Sequence, residues 1–152
     1  MKQFTMLAAA ACCGVMSLWS TPSLAQFAKP ADAIKYRQSA LTLMASHFGR
    51  MQPVVKGQAP YDAAQIKANV QLLNTLSELP WAGFGPGTEG GDALPEVWSD
   101  AAGFQQKRDR MKEAMGKLSA AADSGDLNQL RAAFGDVGAS CKSCHDSYRK
   151  KK

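Results

Sequence analysis

The chain has 152 residues, 20% of them charged, and a formal net charge of +5. That length suits one domain around one core. So mild a positive balance is not a nucleic-acid signature.

Residues 1–25 carry the pattern of a secretory signal peptide. Lys2 supplies the basic start, 6–19 is almost entirely apolar, and Pro22 precedes Ser23-Leu24-Ala25, whose small residues fit a cleavage site before Gln26. The apolar run is short for a membrane span, so a retained anchor is the weaker alternative. A lipoprotein cleavage at Cys12 is weaker still, because Ala9 stands where leucine is preferred. The expected layout is a cleaved signal peptide, 1–25, and one domain, 26–152. That domain has 127 residues, a net charge of +4, and only Cys141 and Cys144 as thiols, since Cys12 and Cys13 leave with the signal.

Four segments of the domain repeat their apolar residues at helical spacing. The first, 31–55, presents Ile34, Leu41, Met44, Phe48, Met51 and Val55 on one face, with Pro30 and Asp32 at its start and Pro53 and Gly57 at its end. The second, 62–79, carries Ile66, Val70 and Leu73, and Pro80 stops it. A connection rich in glycine and proline follows at 81–95. The third, 95–122, opens on Pro95 and carries Trp98, Met111, Met115 and Leu118. After the turn at 123–126 the fourth, 126–150, carries Leu130, Phe134, Val137, Cys141, Cys144 and Tyr148 at steps of three and four. Such elements predict an all-α fold, an antiparallel up-down-up-down four-helix bundle. Four of the positive charges, Arg149 to Lys152, follow the last helix, where cations complement the helix dipole.

The fourth segment ends in Cys141-Lys-Ser-Cys144-His145. A disulfide across so short a span closes almost no loop and would add little stability. A structural zinc site wants four ligands. Cys144 and His145 are adjacent, and His47 would have to come from another helix. A thioredoxin-like dithiol opens a helix, where the dipole lowers the thiol pKa; this motif lies near a helix's C-terminal end, where the dipole works against the thiolate. The third reading is covalent haem c attachment, for which C-x-x-C-H is the signature. On a helix, Cys141, Cys144 and His145 share one face. Two thiols can then take the two vinyl groups of one haem c per chain, while His145 reaches the iron as axial ligand. Export agrees with this reading.

In such a bundle the end of the fourth helix lies beside the start of the first and third and the end of the second. Arg37, Gln38 and Leu41 then fall near His145. Met111 and Met115 lie about 15 residues into the third helix, on the order of 22 Å from its start and so too far to coordinate. His47 flanks the apolar stripe and reads as a boundary histidine. Only Met44 competes with Leu41 for the position opposite His145. Leu41 is nearer and cannot coordinate iron, so a five-coordinate iron under an apolar Leu41 lid is expected. Polarity and access on that side decide haem function.

"CKSCHDSYRK" on the last helix, "KYRQSALTLMASHFGRM" on the first and "LPWAGFGPGTEGGDA" in the long connection together resemble cytochrome c′, across the whole domain. The resemblance implies a periplasmic, usually homodimeric, high-spin c-type cytochrome that binds nitric oxide and carbon monoxide. It implies thioethers at Cys141 and Cys144, His145 as proximal ligand, and Arg37, Gln38 and Asp92 at the haem periphery and propionates. It further implies Leu41 as the distal apolar residue, Trp81 and Phe84 closing the pocket, and Arg149 beside the proximal face. Each has a plainer alternative: core aromatics for Trp81 and Phe84, a helix cap for Asp92, a surface arginine for Arg37, and a dipole partner for Arg149. The dimer surface is expected on the first two helices.

Two functions remain in play, nitric oxide binding and tolerance or electron transfer with a periplasmic redox partner. An enzymatic reading such as a peroxidase lacks a distal acid–base residue, with only the poorly placed His47 on offer. No catalytic residue is assigned, and neither nucleic acid nor a membrane span after signal cleavage is expected.

Overall fold

The computed structural model describes residues 26–151. The signal-peptide expectation for 1–25, with Cys12 and Cys13, lies outside the described residues. Four long helices form the bundle: α1 (Pro30–Gly49), α3 (Ala63–Glu78), α5 (Ala101–Ser124) and α6 (Leu127–Tyr148). Two single-turn helices, α2 (Gln52–Val55) and α4 (Glu96–Ser99), and a 3₁₀ turn at Pro80–Phe84 stand between them.

Capping chemistry sets most boundaries. The side chains of Asp62, Asp100 and Asp126 each accept a backbone N–H in the first turn that follows, from Gln65, Gly103, and Asn128 with Gln129. Gly125, at φ +72°, ends α5 in the left-handed conformation.

Two helices expected to be continuous are broken. The first divides after Gly49, because Pro53 has no N–H to bond the Gly49 carbonyl and its ring crowds it. The third divides at Asp100 (φ −113°, ψ 58°), whose carboxylate turns to cap Gly103 instead of letting the helix run on. The fourth stops at Tyr148, and Arg149 is extended and bridges Ala93. The connection 81–95 is more ordered than its composition implies, since Trp81, Ala82, Gly83 and Phe84 continue a 3₁₀ turn against α1. Gly83 permits that approach: a Cβ there would stand 2.7 Å from the Ala33 carbonyl oxygen.

The apolar stripes meet in a main core, and a smaller cluster of Val97, Phe104 and Tyr148 lies beside the cavity described below. At the end near α2 the main core is closed tightly, with Met51, Leu118 and Leu130 wholly buried and Val70 nearly so. Fully burying such side chains contributes roughly 1.5–3 kcal/mol each. There α1 and α6 touch through Phe48 and Phe134, stacked with ring centroids 4.0 Å apart and planes 5° from parallel. Beyond the stack the two helices part, and a cavity occupies the space between them. His47 faces α3, where its Nδ1 pairs with Asn69 Oδ1 at 2.8 Å and Asn69 Nδ2 donates to the His47 carbonyl at 3.0 Å. Among the described residues no helix is long and apolar enough to cross a membrane.

Candidate functional site

The cavity between α1 and α6 measures about 850 Å³. All ten site residues expected from the sequence line it: Arg37, Gln38 and Leu41 from α1, Trp81 and Phe84 from the 3₁₀ turn, Asp92 from the connection, and Cys141, Cys144, His145 and Arg149 from α6 and its end.

The α6 wall carries the reactive groups. Cys141 and Cys144 are half-buried thiols, not joined to each other. Burial pushes the Cys141 thiol up from its ordinary value. Burial does the same for Cys144, reinforced by Cys141 and opposed by the charges of Lys107 and Arg149. Thiols held protonated do not suit dithiol redox chemistry, which needs a stabilised thiolate. Lys107 approaches because its Nζ donates to Ser143 Oγ at 2.5 Å, fixing α5 against α6. Burial, and then the neighbouring Arg149, hold the His145 imidazole below its usual range, with Asp146 acting in the opposite direction. A neutral imidazole keeps a lone pair for a metal.

The opposite wall, α1, presents Leu41 and Met44, with Gln38 and Thr42 at the rim. Arg37 is only 2% exposed. Its Nη1 donates to the carbonyls of Gly83 and Thr88, each at 2.6 Å, and its Nη2 to the carbonyl of Gly90 at 2.8 Å. The guanidinium also lies over the rings of Phe84 and Trp98, at 4.7 and 5.4 Å. Burial lowers its pKa, with Glu89 opposing. This is not the surface arginine considered from the sequence: it is buried in the cavity wall, and its terminal nitrogens hold the connection 83–90 together. Asp92 does not cap a helix; Asp100 caps α5, while the Asp92 carbonyl accepts from Lys150 N at 2.8 Å.

Aromatic side chains close one end. Trp81 and Phe84, 6.2 Å apart, both pack on Phe104 of α5. Arg108 covers the other side of Trp81 at 5.0 Å.

The floor is formed in part by α5. Met111 and Met115, expected from helix rise to be too far to coordinate, line the cavity. α5 starts at Ala101, and the Phe104–Tyr148 and Lys107–Ser143 contacts set its second turn, not its start, level with His145. Among the wall residues not read as site residues from the sequence are Phe104 and Tyr148. Tyr148 stands three residues after His145 and four after Cys144, a spacing that places it on their face.

The donor set fits haem c. Two unpaired thiols and a neutral imidazole share one wall of a largely apolar cavity at the upper end of the usual size for cofactor sites.

Known proteins point the same way. The sequence profile of the family described as Cytochrome C′ matches residues 32–149. Cytochrome c′ of Alcaligenes xylosoxydans xylosoxydans is 80% identical over 127 residues, which span 84% of this chain and all of that protein. Cytochrome c′ of Rubrivivax gelatinosus is 51% identical over 129 residues, 83% of this chain and all of that protein. Among solved structures, the nitric oxide complex of a leucine-to-alanine variant of cytochrome c prime from Alcaligenes xylosoxidans superposes with a TM-score of 0.83 at 78% identity, covering 84% of this chain and all of that one. A ferrous arginine-to-lysine variant of the same protein with bound nitric oxide gives the same TM-score, identity and coverage.

Proposed function

The chain belongs to the cytochrome c′ family, and from that membership and the pocket geometry we propose that it is a periplasmic haem c protein that binds nitric oxide and carbon monoxide and contributes to nitric oxide tolerance. The observation that carries this reading is the pairing of walls: thiols and imidazole on α6 face Leu41 and Met44 on α1 across one cavity. Cys141 and Cys144 would hold haem c through thioethers, and His145 would be its axial ligand. Bound there, haem supplies an iron with one position open to a neutral diatomic molecule.

The chain's own residues determine what reaches that position. Leu41 offers no lone pair and no hydrogen bond, so it disfavours water and anions and leaves room for small apolar gases. Trp81, Phe84 and Phe104 shield the cavity's aromatic end. Gln38 and Asp92 lie at the rim, where polar groups of the cofactor could meet side chains and water. Arg37 acts at the same rim indirectly, by fixing the connection that carries Asp92. Arg149 stands beside His145, close enough for its charge to disfavour imidazolium. No catalytic step is assigned.

Export is part of the proposal. The Alcaligenes relative is matched over its whole length by 127 residues of this chain, the length left when 1–25 is removed. Mass spectrometry of the purified protein is expected to place its start at Gln26. A homodimer through α1 and α3 is likewise proposed. Leu43, Leu72 and Leu79 stand 49%, 44% and 37% exposed on or beside those helices, and sedimentation would show the dimer.

The deciding experiment is an absorption and resonance Raman spectrum of the ferrous protein with and without nitric oxide. A five-coordinate high-spin spectrum that changes on adding the gas is expected. A low-spin spectrum with a methionine–iron band would assign Met44 as a ligand and overturn the open position. Electron transfer is the second reading, favoured by the exposed rim at Gln38, Thr42, Asp92 and Lys142. Failure to exchange electrons with periplasmic reductases or oxidases would remove it.

A further inference from the structure

The last turn of α6 is fastened on three sides. Tyr148, its final residue, is 6% exposed, and its hydroxyl donates to Asp100 Oδ2 at 2.6 Å. The other oxygen of that carboxylate caps α5 by accepting from Gly103 N at 3.1 Å. Both bonds exist because position 103 has no side chain: a Cβ there would overlap Asp100 Oδ2 and stand 2.5 Å from the Tyr148 hydroxyl. The Tyr148 ring meets Phe104 edge-on, centroids 5.3 Å apart. On the backbone, the Tyr148 carbonyl accepts from Leu94 N at 3.0 Å and Lys150 N donates to the Asp92 carbonyl at 2.8 Å. Lys150 Nζ adds a bond to the Gly91 carbonyl at 2.8 Å.

These bonds hold the turn that carries His145 and join it to the connection that supplies Asp92. Neither α6 alone nor its contact with α1 could do so, since α1 and α6 are apart at this end. We propose that Tyr148 is a positioning residue for His145, fixed by Asp100 through the gap left at Gly103, so that the imidazole presents one orientation to the iron. This rests on the reading of His145 as axial ligand. A hydroxyl serving only fold stability would lower the melting temperature and leave the iron–histidine bond as it was.

The test uses the full haem-loaded protein and three variants, Tyr148→Phe, Gly103→Ala and Asp100→Ser. The serine keeps a helix cap but is too short to reach the phenol, so it separates capping from positioning. In the ferrous protein, all three are expected to shift and broaden the iron–histidine stretching band in resonance Raman spectra. Hydrogen exchange at the Leu94 and Lys150 amides is expected to accelerate in the same variants. Asp100→Asn, which keeps an acceptor, is expected to restore most of the wild-type band. Leu118→Ala, far from the site, is the control that lowers stability with the band unmoved. An unmoved band in Tyr148→Phe and Asp100→Ser, whatever their stability, overturns the proposal. Absence of any iron–histidine band in the wild-type protein overturns the assignment of His145 itself, and this inference with it.

Discussion

The two ends of the bundle are built from the same helices and the same apolar periodicity, and they do opposite things. Near α2, the stripes of α1, α3, α5 and α6 fill one another, and Met51, Leu118 and Leu130 have no exposed surface. At the other end the stripes of α1 and α6 line about 850 Å³ of cavity, beside a small cluster of Val97, Phe104 and Tyr148. Polar tethers add to packing there: Arg37 to three carbonyls, Tyr148 to Asp100, Lys150 to the connection. Apolar periodicity therefore reports that a residue faces inward, and not whether it faces protein or a prosthetic group.

The contrast can be broken most sharply at the solid end. Leu118→Ala is expected to cost about 2–5 kcal/mol in urea unfolding, with the haem spectrum unchanged. At the junction, Phe134→Ala removes the stack with Phe48, and is expected to cost about 2–3 kcal/mol while also altering gas-binding rates. An effect confined to stability would show that the cavity does not depend on the junction. Arg37→Leu removes the guanidinium donors to the carbonyls of Gly83, Thr88 and Gly90 and is expected to cost about 1–3 kcal/mol. Proteolysis within 83–92 should quicken in that variant. At the hollow end, Leu41→Ala is expected to change stability by less than about 1 kcal/mol, because little packing is lost. Faster nitric oxide and carbon monoxide binding is expected in stopped flow; unchanged rates would remove Leu41 as the lid. The smallest effect is the pH dependence of the Tyr148 tether. The bond to Asp100, then burial, push the phenol up to about 12, against about 10 when unfolded. Its contribution is therefore complete below about pH 10 and lost as pH rises from there toward 12. Urea titrations across that window should show this slope in the wild type and not in Tyr148→Phe.

Helix identity was legible because spacing, prolines and capping aspartates all act locally. The motif at Cys141–His145 was legible for the same reason, and its place near the end of the last helix correctly brought Arg37, Gln38 and Leu41 to one cavity with it. The failures are all cases where a side chain answers to something distant or competes with its own helix. Asp100 caps Gly103 and so breaks the third helix. Arg37 finds its partners 46 to 53 residues away, in carbonyls that no side-chain pattern advertises. The dependence of the Tyr148–Asp100 bond on Gly103 is a matter of absent volume, which composition does not reveal.

The Phe48–Phe134 stack has a mechanical consequence. It is the last firm contact between α1 and α6 before they diverge, and so it acts as a fulcrum. From Phe48 to Arg37 is 11 residues, about 16 Å of helix, so a tilt of about 5° at the rings would move the far arm by about 1.4 Å. That displacement is comparable to the radius of an atom. A small rotation of two flat rings at the cavity's closed end, Phe48 among its lining, thus becomes an opening of atomic size at the rim.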